Sequence, residues 1–494
     1  WFIYNAAAPK KFIYAHEFSW EGEEGPEYPS VWVPAWPRYK KVYGLYTAMD
    51  NLAATQGTGL LRVQETAGDC WSIGPVQRQP IYHVLRKWFG IPLPSRKDQE
   101  IKIDSELSFA RLRPDYAALK LEESMRRMPD SILLSITPEA SARLNRKALH
   151  RIALEEGRVL LQKAREKRSD LDFSAGSEDL TAGLSSVLGD IEPDKNAAEA
   201  ESLWSEKLSS ATAEAFILRP EPGILIPLFL LKPAAENENS FPLVIALSEG
   251  GKDSFLKDRS KEIERLLLSG IAVCIPEVRG TGETAPGQYN RNEYPATRIV
   301  ELGNTLLGLR LKDLRTVLAW AGKRKDIDCQ RMALWGDSFA PVNPENLWVD
   351  ELMGWPVSPQ IQYLASPLGA HLALFAALYH KEIKAVAARG GLVGYLSILE
   401  HNFSYVPPDM AVPEILRVGD ISDICAHIAP RPVLLEGTVD GRNCLVDSVK
   451  LNQEINLAAG EYKNAGFPLN LILRKDTARP DMISWLISQL RKTE

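Results

Sequence analysis

From residue 206 to 494 the chain alternates short, unbroken apolar runs with amphipathic stretches, and few folds accept that pattern. Residues 243–247, 271–275, 332–335, 385–388, 433–435 and 469–473 read as strands buried on both faces. Residues 260–268, 298–322, 372–379 and 480–490 read as the helices between them, and 213–218 with 224–231 as a hairpin. Such alternation predicts an α/β fold, a mainly parallel sheet covered by helices on both faces. Catalytic groups in such a sheet belong at the carboxyl ends of its strands.

Composition narrows the partners more than the fold. A net charge of −6 gives no basic patch for nucleic acid or an anionic membrane. No apolar run is long enough to span a membrane. The cysteines, Cys70, Cys274, Cys329, Cys425 and Cys444, are scattered and form no C-x-x-C, so neither a disulfide framework nor a metal site is expected. No cofactor is called for. The chain starts at Trp1, and a longer protein is expected, with this chain contacting its own upstream part.

Three loops at the expected carboxyl edge carry chemistry. Gly336-Asp337-Ser338-Phe339-Ala340 leaves the 332–335 strand, and small residues at both ends let the serine stand proud of the sheet. Ser338 is the candidate nucleophile and the N–H of Phe339 a candidate oxyanion donor. Alone, the pattern also fits a chance Gly-x-Ser loop. Ser248-Glu249-Gly250-Gly251 follows the 243–247 strand, and its glycines allow a backbone N–H to face a developing oxyanion. Gly437-Thr438-Val439-Asp440-Gly441 follows the 433–435 strand and offers Asp440 as the acid, although Asp-Gly is also an ordinary turn signal.

The loop Glu277-Val278-Arg279-Gly280-Thr281-Gly282-Glu283 resembles the Arg-Gly-x-Gly-Glu loop of acetyl xylan esterases, dienelactone hydrolases and prolyl-oligopeptidase-like enzymes. With the serine turn, it makes residues 206–494 similar to an α/β-hydrolase domain. The resemblance implies ester hydrolysis on a carbohydrate-linked or other small ester, with Ser338, Asp440 and a later histidine as triad. It places Glu249, Arg279, Asp337, Trp355 and His401 around the pocket. It also implies a secreted or periplasmic setting, which the sequence itself leaves open.

Two departures stand against that pattern. Pro341, Pro344, Pro356 and Pro359 separate Ser338 from the next helix, which resumes at Ser366-Pro367-Leu368-Gly369-Ala370-His371. The insert, with Trp348 and Trp355, reads either as a substrate wall or as a structural lid. After the last strand the sequence reads Arg474-Lys475-Asp476, and no histidine follows His427. Asp476 is too weak a base to replace one. His371 and His380 read as helix residues, His427 as lying on the wrong edge, and His401 as the one histidine whose loop could reach the serine. Hence a second reading, a non-catalytic module that binds carbohydrate or braces a partner domain.

Upstream, residues 1–95 read as a partial βαβα unit: a strand at 11–15, a helix at 38–52, a strand at 60–64 and a helix at 80–89. The order resembles the C-terminal part of an α/β-hydrolase-like module. Residues 96–205 read as a connector, helical over 139–167 and flexible over 169–196, where Ser, Gly and Asp are frequent.

Overall fold

The computed structural model describes residues 7–16, 36–56, 75–91, 147–194, 199–209, 211–234, 240–286, 293–345, 363–475 and 481–491. They fall into two compact units, residues 1–145 and 146–494.

In the first unit β1 (Phe12–His16) and β2 (Leu52–Gln56) pair in parallel, Phe12 opposite Leu52. Helix α1 (Trp36–Leu45) lies between them in sequence and α2 (Pro75–Phe89) follows. Tyr43 is buried on α1 and donates to Lys10 O at 2.9 Å. The helix expected over 38–52 stops at Leu45, close to Thr47 with its left-handed backbone (φ 53°), and Leu52 opens a strand instead. The strand expected at 60–64 lies outside the described residues.

The second unit opens with α3 (Leu149–Ser169) and α4 (Phe173–Leu188), so the connector expected across 96–205 is divided at Arg146. The stretch expected to be flexible, 169–196, is mostly α4. Asp172 caps it by accepting from Ala175 N at 2.9 Å, and Leu180, Leu184 and Leu188 stack on one buried face. Gly176 shares that buried face, while the serines lie on the remaining faces, which is why composition misled.

Nine strands then form one sheet: β3 (Ala200–Lys207), β4 (Ala211–Glu221), β5 (Ile224–Pro233), β6 (Phe241–Leu247), β7 (Ala272–Pro276), β8 (Ile327–Gly336), β9 (Ile383–Arg389), β10 (Val433–Glu436) and β11 (Leu471–Arg474). Their order is β11-β10-β9-β8-β6-β7-β5-β4-β3, parallel from β11 to β7 and antiparallel beyond. Helices α5 (Gly251–Asp258) and α6 (Ser260–Leu268) follow β6, while α7 (Glu293–Glu301) and α8 (Leu306–Lys323) precede β8. The single helix expected over 298–322 is thus two, parted at Gly303 (φ 79°) and restarted by the Thr305 cap. Helix α9 (Leu368–Tyr379) follows β8, α10 (Ile421–Ile428) follows β9, and α11 (Ser448–Glu454) and α12 (Asn456–Asn464) follow β10. Helix α13 (Met482–Arg491) follows β11.

Two cores sandwich this sheet. Leucines of α3 and α4 join α8, α9, α10 and α12 on one face. On the other, Phe255, Ile263 and Leu266 meet Met482, Trp485 and Leu486 around Trp335. This is the α/β-hydrolase architecture that the sequence led us to expect. It brings the ends of β6, β8, β9 and β10 level, with Leu247 opposite Gly336, Gly336 opposite Ala388, and Ala388 opposite Leu435.

Candidate functional site

Ser338 lies two residues beyond β8, half-buried at this carboxyl edge. It abuts Gly390 just past β9, where an added Cβ would fall 2.3 Å from the Ser338 Cβ. Among the described residues its hydroxyl makes no hydrogen bond. Its φ is not among the positive ones, so the turn lacks the strained backbone of a sharp strand-to-helix elbow. The chain instead runs through Asn343, which bridges to Cys444 as a parallel β-bridge and accepts from Tyr363 N. Helix α9 begins only at Leu368, as expected, yet its N-terminus still docks on the end of β8. A Cβ on Gly369 would stand 2.1 Å from Leu247 O and 2.8 Å from Asp337 O, so only glycine fits there.

Asp337 is fully buried and faces away from solvent chemistry. Its carboxylate accepts from Arg259 Nε at 2.9 Å, from Arg389 Nη1 at 3.3 Å and from Ser338 N at 2.9 Å. Arg389 also pairs with the buried Glu436 at 2.8 Å. The Arg259 guanidinium lies 4.8 Å from the Phe339 ring centre, and that ring meets Phe255 edge-on. Asp337 thus fixes the turn rather than lining a pocket. These contacts leave the Phe339 N–H without an acceptor among the described residues.

The other predicted loops are at the same edge, in different employment. Gly251 has a left-handed backbone (φ 59°), and its N–H leans on Ser248 O at 3.4 Å. The next amide, of Lys252, is taken by the buried Glu277 at 3.1 Å. Arg279 is locked onto Asp313 of α8 through Nε at 2.9 Å and Nη2 at 2.6 Å, and onto Glu221 through Nη1. It braces the loop and has no free edge to offer a substrate. Glu249 is half-buried, and burial raises its pKa, with the Asp409 charge adding to the rise.

Asp440 is buried beyond β10 and holds its own loop. One oxygen accepts from Arg442 N and Cys444 N, both at 2.9 Å, while the other lies 3.7 Å from the Arg442 guanidinium. The acid loop and the serine strand are tied together, since Asn443 Nδ2 donates to Pro341 O at 2.9 Å. His401 feels the charges of Asp440 and Arg442, and burial together with Arg442 lowers its pKa. His371 is fully buried on α9, accepts from Leu392 N at 3.3 Å, and is pushed down to about 3 by burial. His380 pairs with Glu382, and His427 stacks on Phe173 at 5.4 Å, as helix-end residues do. Trp355 and Asp476 lie outside the described residues. Among the described residues no cluster of His, Cys, Asp and Glu could hold a metal.

Sequence reasoning missed Ser366, Arg310 and Asp409, which gather beside Glu249. Nothing in their spacing signals it, because they come from a loop, a helix and a short 3-10 turn far apart in the chain.

No family model and no curated protein matches the chain. Among solved structures, methylesterase BT1017 is similar at 15% identity, covering 68% of this chain and 67% of its own, with a TM-score of 0.46. A glucuronoyl esterase from Solibacter usitatus is similar at 14%, covering 64% and 92%, with a TM-score of 0.42. Acetyl xylan esterase 1 from Thermoanaerobacterium sp. JW/SL YS485 is similar at 14%, covering 65% and 94%, with a TM-score of 0.40. At that distance the chemistry of the site stands on its own residues.

Proposed function

We propose that the second unit is a serine-hydrolase-type ester hydrolase, acting slowly on carboxylic or acetyl esters linked to carbohydrate. The observation that carries the reading is Ser338 itself. It is half-buried at the carboxyl edge of a parallel sheet, its hydroxyl is uncommitted among the described residues, and the next backbone N–H is free to meet an oxyanion. Asp440 sits at the same edge with one carboxylate oxygen held by backbone amides. The substrate class comes from the resemblance of the Arg279 loop. Slowness follows from the missing base. Removing the base from a serine triad costs about a millionfold in turnover, on the order of 8 kcal/mol. Oxyanion donors and binding then retain roughly a thousandfold over water.

One observation favours the alternative, a module that binds carbohydrate without cleaving it: no histidine follows β11. Release of a chromogenic phenol from an acetyl ester separates the two. The enzyme reading expects weak turnover above the buffer rate that Ser338→Ala changes little, because oxyanion donors and binding carry what the missing base leaves. Turnover no greater than the buffer rate would leave the binding module.

A further inference from the structure

The described parts of the first unit carry a charge unlike that of the whole chain. Residues 7–16, 36–56 and 75–91 hold many lysines and arginines and a single acid, Asp50. The overall charge of −6 conceals this, because the balancing acids lie elsewhere in the sequence. Topology then gathers part of that charge. Strands β1 and β2 are parallel, so the helix after each runs back and ends at the strands' amino edge, α1 at Leu45 and α2 at Phe89.

Hydrogen bonds tie together the segments that meet there. Asn51 Nδ2 donates to Pro9 O at 2.7 Å, Tyr43 OH to Lys10 O at 2.9 Å, and Trp88 Nε1 to Asp50 O at 2.7 Å. The Lys11 ammonium lies 5.1 Å from the Phe89 ring centre, and Lys87 Nζ is 3.4 Å from Asp50. Lys10, Lys11, Arg86 and Lys87, all exposed, thus stand at one edge of the unit. Among them are bulky apolar side chains that folding ordinarily covers. Leu45 is 78% exposed and Phe89 59%, and Tyr46, Met49 and Ile91 are exposed as well. Arg86 and Lys87 suit the end of a helix, whose dipole favours cations. Lys10 and Lys11 precede a strand and gain nothing from a dipole. Exposed apolar groups ringed by cations mark a surface that meets something both apolar and anionic.

We propose that this edge of the first unit docks on an anionic lipid surface, with Leu45, Phe89 and their apolar neighbours entering the headgroup region and Lys10, Lys11, Arg86 and Lys87 holding the lipid phosphates and carboxylates. Among the described residues no helix is long and apolar enough to cross a bilayer, so the contact is with its face. Lysine suits that place, since its alkyl stem lies along apolar surface while its ammonium reaches outward. A soluble polyanion such as an acidic polysaccharide would engage the cations but leave Leu45 and Ile91 in water, so lipid is the better fit. Each basic residue near an anionic leaflet strengthens binding roughly fivefold.

The test is co-sedimentation of the whole chain with vesicles of phosphatidylcholine alone and of phosphatidylcholine mixed with about one-third phosphatidylserine. Binding to the mixed vesicles should be at least about tenfold tighter and should weaken as salt rises, because screening shortens the reach of the lysines. Lys10→Gln with Lys11→Gln should weaken it about thirtyfold at low salt. Leu45→Ser with Phe89→Ser should weaken it at low and high salt alike. Both pairs replace exposed side chains, so far-ultraviolet circular dichroism should match the wild type. Equal binding to the two vesicles, binding to neither, or binding that either pair leaves unchanged overturns the proposal. So does tighter binding to polygalacturonate than to the mixed vesicles, which would make an acidic polysaccharide the occupant.

Discussion

Two buried side chains set the most direct residue-scale expectations. Asp337 carries a fully buried carboxylate between two arginines, so Asp337→Ala strands the Arg259 charge and leaves Arg389 to Glu436 alone. Breaking such a pair from one side costs about 3–5 kcal/mol, which urea unfolding should read as a lowered midpoint with unchanged slope. His371 sets a pH dependence. Its folded pKa, about 3, lies below the ordinary 6.5, so the folded chain refuses a proton that the unfolded chain accepts. That contribution is whole above pH 6.5 and drains away as pH falls toward 3, at up to about 1.4 kcal/mol per pH unit. His371→Leu loses the Leu392 N–H acceptor at every pH, but the stability gap to wild type should narrow steadily between pH 6 and 4. A gap constant across that range would mean that His371 is not held neutral by burial. Ser338 and Asp440 were legible as candidates at the carboxyl edge because each sits in a turn written in consecutive residues. Asp337 was legible as a place but not as an anchor, since nothing local announces two arginines arriving from other elements. The Ser366, Arg310 and Asp409 cluster was illegible for the same reason.

At the scale of elements, the docking of α9 on the ends of β6 and β8 defines the site, and it depends on one missing Cβ. In Gly369→Ala the new methyl would meet Leu247 O and the Asp337 backbone, none of which can rotate away. Overpacking of this kind costs about 1–3 kcal/mol or more. The expected outcome is a lowered thermal midpoint together with slower fluorophosphonate labelling at this edge, because the helix start must back away from the strands. Unchanged stability and labelling would mean that α9 sits further off. The sheet was legible because parallel strands buried on both faces read as unbroken apolar runs. Helix α4 was not, since only the spacing of Leu180, Leu184 and Leu188 reveals it and the serines and glycines between them imitate a linker. The break between α7 and α8 was hidden too: Gly303 and Thr305 interrupt a periodicity that resumes almost in phase.

The whole molecule raises the question of where the folding unit starts, and α3 and α4 decide it. The alternation of strand and helix signals suggested residue 206, whereas the compact unit begins at Arg146. Leu161, Leu180, Leu184 and Leu188 are all buried in the larger core. At about 1.5–3 kcal/mol for each buried leucine, together they contribute roughly 6–12 kcal/mol. That is comparable to the roughly 5–15 kcal/mol by which native domains are stable. Polar ties run the same way. Arg168 pairs with Asp423 of α10 at 2.7 Å, both buried, and the Thr305 amide that opens α8 donates to Leu188 O at 3.1 Å. A chain of residues 146–494 should therefore unfold in urea in one cooperative step, with near-ultraviolet circular dichroism typical of packed tryptophans. A chain of residues 206–494 should keep helical far-ultraviolet signal but lose the near-ultraviolet signal and the sharp transition, because the part of that core face covered by α3 and α4 is bare. If the shorter chain unfolded as sharply as the longer one, α3 and α4 would be a dispensable cover, and the boundary read from the strand and helix signals would be the physical one.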